Sequence, residues 1–206
     1  GLVEIANLDT AQRLEPAINT NEVGDCPDSP RYQAYLLSTS GSQRLAYLVR
    51  TAPVRDGQPR VVVDSVTQEF ATDLLVKPDN SNDAVLFDRP PLYLRASVHS
   101  ANGEVFPLHV VLNHTLSLLD VNDVGTRSDS WGTQGARSRG KRLQQAIKVS
   151  QLVESIQSGD PDAALVLIGD YNAFDFSDGY VDVMGIISGT PAPAEEVLLN
   201  GTSAVT

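Results

Sequence analysis

One cysteine, Cys26, excludes an internal disulfide, and Cys/His spacing of the zinc-finger kind is absent. Three histidines, His99, His109 and His114, leave a short list for any catalytic imidazole. No apolar run approaches the roughly 20 residues that a membrane-crossing helix needs. No signal peptide opens the chain; a mature or trimmed chain would have lost one. Basic residues are scarce, 15 Lys and Arg against 26 Asp and Glu, for a net charge of −11. A uniformly acidic surface repels nucleic acid, so a polyanion substrate needs a local basic patch or bound cations. Internal repeats and low-complexity linkers are also missing.

What is present suits a folded globule. The chain has 206 residues, 41% of them hydrophobic, enough for one domain over 1–206 with a real core. Residues 9–20 (DTAQRLEPAINT) read as a helix with Asp9 as N-cap, interrupted at Pro16. Gly24, Pro27 and Pro30 mark 21–31 as a loop. Strands are expected at 32–38, 44–50, 60–68, 92–99 and 105–114. Residues 118–136 are polar and read as a long loop. From 137 to 158, Leu143, Ala146, Ile147, Val149, Leu152, Val153 and Ile156 recur at spacings of three and four, an amphipathic helix. Gly159 and Pro161 stop it, and a strand follows at 163–168.

One local concentration of positive charge exists. Arg127, Arg137, Arg139, Lys141, Arg142 and Lys148 fall within 22 positions. The run is either a polyanion-binding patch or a solvated loop and helix face.

The stretch LVLIGDYNAFD (165–175) poses the sharpest question. Four apolar residues, Leu165 to Ile168, carry the signature of a strand buried on both faces. Gly169 then ends it, and Asp170 and Asn172 follow, on the same side if strand alternation continues. A carboxylate and an amide at such a rim suit metal binding, water activation or phosphate contact. Gly, Asp and Asn are equally the residues of a simple turn. VFPLHVVLNH (105–114) also ends on polar groups, Asn113 and His114. If the two strands are neighbours, His114 and Asp170 converge at one rim.

These segments resemble a known family. LVLIGDYNAF resembles the Gly-Asp-x-Asn-Ala motif of the endonuclease/exonuclease/phosphatase superfamily, which has the DNase-I-like fold. HVVLNHTLS (109–117) resembles its Asn-His-x-x-Ser strand end, and FDRPPLYLRA (87–96) the Arg-x-Pro strand that precedes it. RLQQAIKVSQLV (142–153) looks like the helix after the histidine loop. GLVEIANLDTAQRLEPAIN (1–19) resembles the stretch that carries the metal-binding glutamate. The blocks come in the family's order and cover most of the chain. The loop at 118–136 and the helix look most similar to bacterial extracellular nucleases.

The resemblance implies an α+β fold, two packed mixed β-sheets flanked by helices in a DNase-I-like four-layer sandwich, incomplete at both termini. It implies metal-dependent phosphodiester hydrolysis of DNA or RNA by a secreted bacterial enzyme, extracellular or periplasmic. Glu4 and Asp170 would serve the metal site, for Mg²⁺ or alternatively Ca²⁺ or Mn²⁺. Asp170 would take the proton of the attacking water or position it. Asn172 would hold the phosphate or that water, and Arg89 would contact the phosphate. His114 would bond a phosphate oxygen and stabilise the charge that builds in the transition state. Asn113 shapes the strand end, and His99 and His109 are structural.

The sequence also departs from the family pattern. Val3 stands where glutamine usually precedes the glutamate, and Leu116 replaces a lysine. The first-strand asparagine and the closing Ser-Asp-His motif have no counterpart, and no histidine follows Asp170. A fragment of a larger enzyme, impaired on its own, is therefore expected. Two rivals stand beside the nuclease: a phosphatase of the same superfamily acting on inositol phosphates or phospholipids, and a degenerate domain that binds without cutting. The basic run favours the long polyanion over the small headgroup.

Overall fold

A computed structural model describes residues 1–20, 31–37, 43–175 and 180–197. In chain order the elements are β1 (Leu2–Ile5), α1 (Leu8–Thr20), β2 (Tyr32–Leu36), β3 (Arg44–Arg50), β4 (Pro53–Arg55) and β5 (Gln58–Pro59). β6 (Val61–Gln68), β7 (Leu74–Val76), β8 (Asn82–Val85), β9 (Leu92–His99) and β10 (Val105–His114) follow. α2 (Gln134–Gly159), β11 (Ala164–Asp170), α3 (Val183–Ser188) and a 3₁₀ turn (Ala194–Glu196) close the described chain. The class is α+β, with several sheets and three helices among the described residues. No helix among the described residues is long and apolar enough to cross a membrane.

The chain divides into two compact units. The first comprises Gly1–Glu69, Arg89–Asn113 and Asp162–Gly169. It holds a three-stranded sheet in the order β1-β3-β2 and a four-stranded sheet in the order β11-β10-β9-β6. The three-stranded sheet is antiparallel throughout, not mixed. Alternation sends Leu45, Tyr47 and Val49 of β3 to one face, where they meet Leu92, Leu94 and Ala96 of β9 and Leu112 of β10. The two sheets therefore share one apolar core. Tyr47 is buried in it, and its hydroxyl donates to the Leu92 carbonyl at 2.7 Å and lies 2.9 Å from the Val110 carbonyl.

α1 runs unbroken through Pro16, which the sequence had marked as an interruption. Glu15 docks that turn of the helix, accepting from the Ala34 N–H at 2.8 Å. Asn7 rather than Asp9 caps it, taking the Thr10 N–H at 2.8 Å. Most of the loop expected at 21–31, and the end of the strand expected at 32–38, lie outside the described residues. β11 is not buried on both faces. It is an edge strand, and Val166 is 44% exposed.

The second unit comprises Phe70–Asp88, His114–Pro161 and Asp170–Thr206. α2 starts earlier than its apolar pattern suggests, because Thr133 caps it by accepting the Ala136 N–H. Its first half buries polar residues on several sides: Ser138, Arg139, Lys141, Arg142 and Gln145. Trp131 lies so close over Gly140 that a Cβ there would stand 2.3 Å from the indole ring. The β7–β8 hairpin joins α2 through Gln144, whose amide pairs with both backbone groups of Val76 at 2.9 and 2.7 Å. α3 packs on α2 and is capped by Asp182.

Candidate active site

Neighbouring strands β10 and β11 end on His114 and Asp170, and both residues belong to the second unit. The Thr115 N–H donates to the Asp170 carbonyl at 3.1 Å, which holds the two ends together. Gly169 makes this approach possible within the first unit. Its φ is +135°, and a Cβ there would stand 1.9 Å from the Asn113 carbonyl oxygen. The glycine before the aspartate is thus a packing requirement as well as a conformational one.

The strand runs through Gly169 to Asp170, so Asn172 is not its neighbour by alternation. Instead a turn forms. Asp170 Oδ1 accepts the Asn172 N–H at 2.8 Å, and Asn172 takes a left-handed conformation with φ 46°. One N–H of the Asn172 amide donates to the Thr115 carbonyl at 3.0 Å. The Thr115 hydroxyl donates to the Tyr171 carbonyl. Both readings of Gly-Asp-x-Asn are therefore present at once: a turn, and a polar rim.

Asp170 Oδ2 points toward His114 Nε2 at 3.9 Å. The imidazole side chain is 3% exposed and the carboxylate 49%. The gap is too long for a direct hydrogen bond but suits an oxygen bonded to both groups. A half-exposed carboxylate beside a buried imidazole can hold one water or substrate oxygen between a proton acceptor and a proton donor.

Glu4 and Arg89 fall in the first unit. Gln43, which sequence reasoning did not single out, joins them: its amide donates to Glu4 Oε1 at 3.2 Å and accepts from Arg89 Nη1. Glu4 is exposed and has φ 59°, an uncommon conformation for a residue with a side chain. His109 pairs with Tyr93, Nδ1 to hydroxyl at 2.5 Å, with the rings stacked. Among the described residues, no group of three or more His, Cys, Asp or Glu is placed to hold a metal ion.

Each residue of the basic run has a partner within the second unit. Arg127 pairs with Asp129 at 2.6 Å, Arg137 with Asp83 at 2.8 Å, Lys141 with Asp88 at 2.8 Å and Lys148 with Asp73 at 2.7 Å. Arg139 donates to the Val121 carbonyl. Arg142 is fully buried and donates to the Leu116 carbonyl and, at 2.8 Å, to the Asn172 carbonyl. Arg139, Lys141 and Arg142 are buried, whereas Arg127, Arg137 and Lys148 pair with carboxylates at partly exposed positions of the second unit. Burial opposes ionisation of Asp83, yet hydrogen bonds from Arg137, the Ala84 N–H and Trp131 hold its carboxyl at about 2. Burial alone pulls Arg139 below its ordinary value, with Tyr180 acting the other way.

Arg142 and Gln145 escaped the sequence reading as site residues. The signal was present: both lie in RLQQA, three apart on one helix face, where a purely apolar stripe would be expected. No family model, curated protein or solved structure matches the chain.

Proposed function

We propose that the ends of β10 and β11 form a metal-dependent phosphodiester hydrolase site on a DNase-I-like sandwich. The observation that carries this reading is the approach of Asp170 Oδ2 to His114 Nε2 at 3.9 Å, with Asn172 fastened beside them. Asp170 Oδ2 takes the proton of the attacking water. His114 Nε2 donates to a phosphoryl oxygen and stabilises its growing charge. Asn172 shapes the pocket wall through its anchored amide. Asp170 is an oxygen donor of the kind that holds Mg²⁺, which needs only one or two carboxylates with waters and a substrate phosphate. Bound there, the cation would neutralise charge on the phosphate and ease ionisation of water. The pair of sheets with a shared apolar core supports the sandwich part of this reading. Secretion from a bacterium and action on DNA or RNA belong to the same reading and rest on the family resemblance.

One observation favours a second substrate class. The six residues of the basic run are engaged by partners within the second unit, which weakens the support that the run lends to a long polyanion. A small phosphate monoester or headgroup needs no such run. The test is hydrolysis of bis(4-nitrophenyl) phosphate and of 4-nitrophenyl phosphate with Mg²⁺. It is run on the 206-residue chain and on the longest reading frame of its gene. Diester cleavage that falls by about 100-fold or more in His114→Ala is the expected result. Cleavage of the monoester alone favours the small substrate. Phosphate binding without cleavage of either ester overturns the enzyme reading and leaves a binding domain.

A further inference from the structure

We infer that Arg142 and Gln145 are positioning residues that set the geometry of the His114–Asp170–Asn172 site from beneath. The inference rests on the hydrolase reading for its catalytic consequence, but its structural half stands without it.

The two side chains reach both loops that carry the site. Arg142 binds the carbonyl of Leu116, two residues beyond His114, and the carbonyl of Asn172 at 2.8 Å. Gln145 is 1% exposed. Its Oε1 accepts the Leu116 N–H at 2.9 Å, and its Nε2 donates to the Leu86 carbonyl at 2.9 Å. Leu116 is thereby gripped at both its N–H and its carbonyl. Asn172 is gripped at its N–H by Asp170, at its amide by Thr115 and at its carbonyl by Arg142. Asparagine tolerates the left-handed conformation, and three separate bonds hold it there.

Chemistry also argues for position over glue. A guanidinium taken wholly out of water is a costly way to join two loops. Apolar residues of similar volume commonly fill such places with no loss of stability. What the apolar alternative cannot do is fix two carbonyls at once in a planar fork. A lysine offers a point charge without that fork. Arg142 and Gln145 lie one helical turn apart, so α2 presents both as a single rigid rack.

The test pairs backbone exchange with kinetics in Arg142→Met, Arg142→Lys and Gln145→Met. Hydrogen exchange is read by NMR at Leu116 and Asn172, with mid-strand β9 amides as reference. Both Arg142 variants are expected to speed exchange about 10-fold or more at Leu116 and Asn172 while leaving β9 unchanged. Gln145→Met is expected to move Leu116 alone, so a failure of the Arg142 variants to fold leaves this result to decide. Where the wild type hydrolyses a diester, kcat should fall on the order of 100-fold with KM within about threefold. Exchange that rises uniformly, or does not rise, overturns the positioning role. Local exchange changes without any wild-type hydrolysis uphold the positioning role and sink only the hydrolase reading.

Discussion

In the first unit the covered side chains are Leu45, Tyr47, Val49, Leu92, Leu94, Ala96 and Leu112. In the second, Leu75, Leu86 and Val149 share the interior with Ser138, Arg139, Lys141, Arg142 and Gln145. The first unit is held by non-directional apolar burial, which tolerates small shifts of backbone. The second also buries apolar side chains, Phe87, Trp131 and Val183 among them, and adds directional bonds that each fix one atom against another. Apolar packing suits a scaffold. Directional bonding suits a place where loops must stand at set distances, and the ends carrying His114, Asp170 and Asn172 belong to that second kind.

The comparison can be broken or sharpened by substitution. Gly169→Ala should do the most damage, because the new Cβ meets the Asn113 carbonyl at 1.9 Å and the φ is wrong for alanine. We expect a loss of more than about 4 kcal/mol in urea unfolding, or no folded protein. Leu94→Ala opens a hole in the apolar core and should cost about 2–5 kcal/mol by the same measurement. It should change the rate of any hydrolysis little while the protein remains folded.

Acid should separate the units next. Asp83 lies in the second unit, and its carboxyl sits at about 2 in the folded chain against an ordinary 3.8. A lowered folded value means that the carboxylate form stabilises. That contribution is complete above about pH 4 and is lost as the pH falls toward about 2, an effect of about 2 kcal/mol. Asp83→Asn should flatten this part of the stability profile. An unchanged profile would show that the ion pair with Arg137 matters little. The smallest effect belongs to α1: Asn7→Ala should cost about 1 kcal/mol, and Asp9→Ala no more than about 0.5 kcal/mol. Asp9 pairs with exposed Arg13 at 3.8 Å.

The same contrast explains what was legible in the sequence. β3, β9 and β10 could be read to the residue, because each is a run rich in β-branched, aromatic and other apolar residues. The two ends of the site were legible too, since Asn113-His114 and Gly169-Asp170 stop long apolar strands. β7 and β8 were missed, being three and four residues long with little alternation. The ion pairs of the basic run were not legible, because the partners Asp73, Asp83 and Asp88 lie some 50–75 residues away and a count of charges cannot pair them. The turn Asp170–Asn172 was ambiguous by nature: the same bonds that make a turn also set a rim.

The central claim is that Asp170 does chemistry at the polar end of the second unit. The most direct test compares wild type with Asp170→Asn in Mg²⁺-dependent hydrolysis of bis(4-nitrophenyl) phosphate, using the longest product of the gene that folds. The substitution keeps the acceptor for the Asn172 N–H and removes the proton acceptor. A fall in kcat on the order of 10²–10⁴, with unfolding unchanged, is the predicted result. A rate indifferent to Asp170→Asn would contradict it.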